Sequence, residues 1–230
     1  MTIAVIIPTL NEEKTLTQTL TQVAALDLEE IIVVDGGSTD RTLRIAEAFS
    51  AATPHVHLIT GPMGRASQMN AGAKGTRSEI LLFLHADTIL PPNVVGIIST
   101  AMADSNIAGG WFEVRFDSPS IWGAVISWFM NWRSRLSGIA TGDQAIFVRR
   151  PIFEQLGGFS DIPLMEDIEF SARLKRVGST LALEETVTTS FRRWEQQGPL
   201  QTILLMWTLR FLYWIGMSPH RLKDFYAAIR

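Results

Sequence analysis

The sequence predicts an α/β protein: a mainly parallel, mixed sheet flanked by helices, with an apolar helical segment at its C-terminal side. Three observations carry this reading. Short apolar runs alternate with helical stretches through the first hundred residues, the spacing of βαβ units. The run Ile31–Val34 is β-branched throughout, as in strands buried on both faces. The 230 residues are 47% hydrophobic and 19% charged, enough to build a sizeable core.

Ile3–Ile7 reads as the first strand. It lacks the basic start and long apolar stretch of a signal peptide, so a cytoplasmic protein is expected. Asn11 is expected to cap a helix running to about Ala25, with Glu12 and Glu13 in its first turn. Strands at Glu30–Val34, Val56–Thr60 and Ile80–Leu84 alternate with helices at Thr42–Phe49 and Arg65–Ala73. Pro91-Pro92 opens a helix over Asn93–Ala103. The rhythm then breaks. Gly109–Phe116 reads as a strand, Ile121–Leu136 as an aromatic-rich helix and Gln144–Arg149 as a short strand before Pro151. Glu166–Val177 reads as a helix, Ser179–Leu183 and Val187–Phe191 as two strands, and the chain from Leu200 as apolar helix. The expected division is a domain over residues 1–195 and a helical appendage over 196–230.

Net charge is −3, which argues against general affinity for nucleic acid. The absence of cysteine excludes disulfides, thiolate catalysis and cysteine zinc sites. No Gly-rich turn follows the first strand and no P-loop occurs, so a dinucleotide-binding Rossmann domain is disfavoured.

The chemistry gathers at strand ends, where open α/β sheets bind ligands. Ile31–Val34 empties into Asp35-Gly36-Gly37-Ser38-Thr39-Asp40. Asp35 can accept hydrogen bonds from a base or ribose, and the glycines let backbone approach a ligand. Equally, this is a turn in which Asp40 caps the next helix. Leu82-Phe83-Leu84-His85-Ala86-Asp87 offers a carboxylate suited to Mg²⁺ or Mn²⁺ bridging diphosphate oxygens; otherwise Asp87 caps a turn. Gly64-Arg65 opens a helix with a cation at its N-terminus, where anions bind, and Asn70 and Gly72 are poor helix formers, pointing to close packing beside a ligand. Asp143, in Thr141-Gly142-Asp143-Gln144, suits sugar hydroxyls or an Asx turn. Glu166 and Asp167 open a helix, either as dipole partners or with one as a general base. Phe191-Arg192-Arg193-Trp194 carries two cations and an aromatic that suit a diphosphate and a sugar or base face, or a solvated basic edge.

Taken together, Pro8-Thr9-Leu10-Asn11-Glu12-Glu13, the Asp35–Asp40 block, the strand ending in Asp87, and Glu166-Asp167 resemble family 2 glycosyltransferases of the GT-A fold, over about residues 1–195. Gly64–Asn70 and Thr141–Gln144 look like those of small bacterial members. The resemblance implies a nucleoside-diphosphate sugar as donor, a hydroxyl acceptor, Mg²⁺ or Mn²⁺ as cofactor, and direct displacement with inversion. It implies that Asp35 contacts the base, with Pro8, Thr9, Glu12 and Gly37 in the same pocket. Asp87 sits at the metal and ribose-diphosphate; Arg65, Asn70, Asp143, Arg193 and Trp194 belong to donor binding; Asp167, beside Glu166, is the base. Many relatives carry an acid where His85 stands. Processive synthases carry Gln where Ser190 stands, so a single-sugar transfer is expected.

Leu200–Met217 borders on the length of a membrane span, but Arg210 near its middle, with Gln201, Thr202 and Thr208, argues against spanning. A core helix, an interface with a second copy, or a helix lying on the membrane surface remain. Ile121–Trp132, beside Arg133 and Arg135, suits the same lipid interface. A lipid-linked acceptor at the inner face of the membrane follows if both meet lipid. The rival readings are a sugar nucleotidyltransferase, which should carry a basic Gly-rich loop after the first strand, and a non-catalytic sugar-nucleotide-binding or membrane-associated scaffold.

Overall fold

The computed structural model describes residues 1–229, with side chains through residue 226. In chain order the elements are β1 (Ile3–Thr9), α1 (Leu16–Ala24), β2 (Glu30–Asp35), α2 (Thr42–Ala52), β3 (Val56–Thr60), α3 (Arg65–Lys74), β4 (Ile80–Phe83), β5 (Thr88–Ile89) and α4 (Val94–Ala101). They continue with β6 (Ile107–Phe116), α5 (Ile121–Ser137), a 3₁₀ turn (Gly142–Gln144), β7 (Phe147–Arg149), α6 (Arg150–Gln155), α7 (Glu166–Val177) and β8 (Ser179–Thr189), then α8 (Arg192–Gln197), α9 (Pro199–Trp214) and α10 (Pro219–Ile229).

One sheet runs β3-β2-β1-β4-β7-β6-β8-β5. The first four strands are parallel, β7 is antiparallel to both neighbours, and β6 and β8 are parallel. The β-branched runs of β1 and β2 are explained by burial on both faces. Val5, Ile7, Ile31 and Val33 enter one apolar core with α1 and α4. Ile6, Ile32 and Val34 enter a second with α3, α6 and α7. A fully buried side chain of this size contributes about 1.5–3 kcal/mol, so neither face tolerates a polar residue. Gly72 lets α3 lie close on the sheet: a Cβ there would stand 2.5 Å from the Ile6 side chain.

Four expectations are corrected. Asn11 does not cap α1, which starts at Leu16; it sits in a left-handed conformation (φ 57°) inside a loop. The strand expected from Gln144 starts at Phe147, because Gly142–Gln144 closes as a 3₁₀ turn with Thr141 and Gln144 capping each other. Ser179–Leu183 and Val187–Phe191 are one strand, β8, carried past Trp111 of β6 by a bulge. The apolar tail is not one helix: α9 ends at Trp214 and the chain turns at Gly216 (φ 94°) into α10. No described helix is long and apolar enough to cross a membrane.

Candidate active site

The loops that follow β1 and β2 are stitched together. The Asn11 N–H donates to Ser38 Oγ (3.0 Å) and the Thr39 N–H to Asn11 Oδ1 (2.8 Å). The Glu12 N–H donates to Thr42 Oγ1, and the Glu13 N–H to Asp40. Glu13 in turn accepts from the Arg41 backbone and guanidinium. Beneath them the buried Gln68 amide donates to the carbonyls of Thr9 (2.8 Å) and Val34 (2.7 Å), clamping both strand ends.

Asp35 is buried at the end of β2. Its carboxylate accepts the N–H groups of Gly37 and Ser38 (both 2.9 Å) and the Ser38 hydroxyl (2.5 Å), with the Thr9 hydroxyl at 3.4 Å. Gly37 holds a positive φ of 92° that makes this turn possible. The carboxylate expected to meet a base is taken up by its own loop, so it shapes the pocket wall; Pro8 and Glu12 remain partly exposed beside it.

Across the β4 end lies a small cleft with Arg65, His85, Glu166 and Asp167 on its walls and Phe83 and Phe159 behind. Gly142 ties it together. Its N–H donates to Asp167 Oδ2 (2.7 Å), and its Cα packs so close to His85 that a Cβ would collide with the imidazole. Asp167 Oδ1 accepts the Ile168 N–H (2.7 Å). His85 Nδ1 lies 3.0 Å from Asp143 Oδ1, while Nε2 is buried without a partner. Arg65, half-exposed, reaches Glu166 at 3.4 Å.

These contacts spread the acidities apart. Burial, then the adjacent Glu166 carboxylate, push Asp167 up to about 6 against the pull of the Gly142 N–H. For Asp143 the surrounding protein pushes upward, but the His85 hydrogen bond and charge, with Arg65 and Arg193, outweigh it and bring the carboxyl down to about 2. A carboxylate poised near neutrality in a cleft, beside one that stays ionised, marks a candidate acid–base site. Asp87, at the β4 end, is pushed up chiefly by burial, and its electrostatic neighbours are His85, Asp143, Glu12 and Arg192. Among the described residues no three metal-ligating side chains cluster. One carboxylate fits Mg²⁺ or Mn²⁺ only as part of a metal–diphosphate complex, where substrate oxygens and water complete the shell.

Not all expected residues point this way. Asn70 is occupied elsewhere: its amide donates to the Phe159 carbonyl (2.8 Å) and accepts the Phe159 N–H (2.9 Å), anchoring the chain before α7. Trp194 packs against Phe116 and Phe191. Arg193 stacks on Tyr226, 5.0 Å from the ring centre, while its charge still acts on Asp143. Its neighbour Arg192, the other cation of that segment, reaches Glu12 at 3.4 Å. The sequence reading missed the His85–Asp143 pair and the guanidinium of Arg133. A cation directly after Trp132, beyond the aromatic stretch of α5, was the only signal of the latter.

Residues 4–157 match the family model for glycosyl transferase family 2, and the chain belongs to that family. It is similar to the probable glycosyltransferase YdaM of Bacillus subtilis, 29% identical over 216 residues (85% of this chain, 50% of the relative). It is also similar to a dolichol-phosphate mannosyltransferase of Pyrococcus furiosus, 27% identical (80% of this chain, 52% of the relative). The chain thus spans about half the length of these relatives. A mannosyltransferase of Pyrobaculum calidifontis, solved with GDP-Man and Mn²⁺, superposes with a TM-score of 0.66 at 20% identity, covering 81% of this chain and 56% of that one. The shared fold is the GT-A glycosyltransferase fold.

Proposed function

We propose that this chain is an inverting glycosyltransferase that moves one sugar from a nucleoside-diphosphate donor to an acceptor hydroxyl presented at a membrane surface. The observation that carries it is Asp167: a carboxylate held by the Gly142 N–H, lifted to about 6, lining a cleft with His85, two residues before Asp87. In this reading the nucleoside rests against Pro8, Glu12 and the Asp35 loop. Asp87 and Arg192 face the diphosphate, and a divalent metal held there would neutralise the leaving diphosphate. Asp167 accepts the proton of the acceptor hydroxyl as its oxygen forms the new bond to the anomeric carbon, and the diphosphate departs with the electron pair. Attack opposite the leaving group inverts the anomeric centre. The dolichol-phosphate relative and the Mn²⁺ of the structural neighbour support this assignment.

The membrane part rests on α5 and α9. Ile121, Val125, Trp128, Trp132 and Leu136 form one exposed stripe, and Leu200, Leu204, Trp207, Phe211 and Trp214 another. The helices meet where Phe129 packs on Trp207, with ring centres 5.4 Å apart. Neither helix carries an acid, while Arg133, Arg135 and Arg210 lie on them. Tryptophan-rich, acid-free faces suit an anionic lipid interface.

A thermal-shift screen of nucleoside diphosphates and nucleotide sugars, with and without Mn²⁺, tests the donor side. A metal-dependent rise in melting temperature with one base, lost in Asp87→Ala, is expected. No rise with any nucleotide overturns the reading. Flotation with anionic vesicles tests the membrane side: protein left wholly in the soluble fraction, or a dimer that hides the tryptophans, overturns it.

A further inference from the structure

Met165 stands two residues before Asp167 in a left-handed backbone conformation (φ 70°, ψ 19°), which costs energy for any residue bearing a Cβ. Among the described residues, Asn11 and Ala145 are the other non-glycine positions with positive φ. Asparagine visits this region readily, whereas alanine and methionine have no polar group to offset it. These two apolar residues flank a single bond. Ala145 ends the 3₁₀ turn whose Gly142 N–H donates to Asp167 Oδ2 (2.7 Å), and Met165 immediately precedes the helix that carries Asp167. Strain of this kind persists only where the surroundings over-determine it, and it collects at working sites. What holds Met165 is neither core of the sheet. It is buried with Leu205 and Leu209 of α9 and Leu222 of α10, and Leu164 and Ile168 pack on the same cluster. Farther along α7, Phe170 and Leu174 enter the core on the sheet instead. The helix is thus anchored at its rear by the sheet and at its front by the C-terminal helices. Met165 also occupies the cap position of α7 and makes no side-chain cap, so packing sets where the helix begins. Tyr213 of α9 lies close enough to this end that, after burial, the charges of Glu169 and Asp167 raise its phenol.

We propose that Met165 is a positioning residue for Asp167: α9 and α10 hold its left-handed backbone, and that backbone delivers the carboxylate to the Gly142 N–H. This rests on the transferase reading above and deepens it. The helices α9 and α10 lie beyond the residues that the family model matches, and they become part of the apparatus that aims the base. A base must stand within hydrogen-bond reach of the proton it takes, and a misplacement of about 1 Å costs up to about 10²-fold in rate. Relaxing φ at Met165 toward the ordinary helical region would swing the first turn of α7 away from the 3₁₀ turn. The apolar cluster around the methionine side chain opposes that swing.

Met165→Gly separates the side chain from the backbone it holds, because glycine enters the left-handed region without penalty. Turnover is expected to fall by about 10- to 100-fold, with nucleoside-diphosphate affinity kept in calorimetric titration. Hydrogen exchange followed by NMR reads the bond itself: the Gly142 amide should exchange about 10-fold faster or more, while the amides of β1 and β2 keep their protection. Met165→Leu conserves the apolar volume and should restore most of the turnover and the protection. Leu205→Ala loosens the cluster from the α9 side and should repeat the pattern more weakly; it decides if Met165→Gly does not fold. Unchanged turnover and unchanged Gly142 exchange in Met165→Gly overturn the inference. So does a uniform rise in exchange over Gly142, β1 and β2, or a parallel loss of nucleotide affinity, since the residue then serves the fold as a whole. If wild type transfers no sugar, selective exchange at Gly142 leaves the positioning role standing and removes the transferase reading; transfer by wild type, with Gly142 still protected in Met165→Gly, does the reverse.

Discussion

The two rims of the cleft are built on opposite terms. On the β1–β2 rim every carboxylate is answered: Asp35 by its own loop, Asp40 by Thr42 and Glu13, Glu13 by Arg41. On the opposite side, from the end of β4 to α5 and α7, the charges crowd without full hydrogen bonding: Glu166 beside Asp167, and His85 Nε2 and the Arg133 guanidinium without partners among the described residues. The first rim is rigid before any ligand arrives. The second keeps desolvated groups whose partners the chain does not provide, which is where reactivity is found in preorganised sites. In the proposed function a nucleotide is recognised by the finished surface while chemistry is left to the unfinished one.

The contrast predicts unlike responses to similar substitutions. The largest effect is expected from Asp167→Asn on the unfinished rim: turnover falls by about 10²- to 10⁴-fold, the usual worth of a general base, with nucleotide affinity kept. Steady-state transfer rates beside calorimetric nucleotide titration check it. Loss of nucleotide affinity in the same measure would erase the distinction between the rims. On the finished rim, Asp35→Ala should act first on folding. Removing the acceptor of two backbone N–H groups and a hydroxyl should cost about 2–3 kcal/mol, read from the urea midpoint. Next in size is a pH effect. Asp167 works only when ionised, and burial and Glu166 hold it near 6, so kcat should climb as pH rises through about 6 and level off above. Glu166→Gln removes the like charge and should move that midpoint downward.

The same division explains what could be read from the chain. The apolar runs fix β1, β2 and β4 because burial on both faces leaves a continuous apolar signature, and acids follow each of them within a few residues. Asn11 misled because its side chain does cap something: the Thr39 N–H of the neighbouring loop, a contact 28 positions away rather than in its own helix. Asn70 misled for a similar reason, since a polar residue within a helix reads alike whether it meets a ligand or the Phe159 backbone. The His85–Asp143 and Arg133–Asp167 relations join residues 58 and 34 positions apart through the antiparallel half of the sheet. No local period encodes that pairing.

The smallest expected effect falls on an ion pair that ties the first rim to α8. Arg192 and Glu12 lie 3.4 Å apart, and both remain partly exposed. Such a pair contributes at most about 1 kcal/mol to stability, because water screens it and two long side chains lose freedom in forming it. Arg192→Ala should therefore hardly move the melting temperature. Yet Arg192 also stands among the charges acting on Asp87, and Glu12 lines the proposed nucleoside wall, so the pair holds a cation beside the diphosphate position. A nucleoside diphosphate can take the guanidinium from Glu12 with little loss, since the pair it replaces is weak. Arg192→Ala should thus weaken diphosphate binding several-fold while sparing that of the free nucleoside, and calorimetric titration of both separates the two. Equal weakening would place Arg192 with the fixed framework of the first rim; a selective loss makes it the one mobile charge that the finished surface lends to the unfinished one.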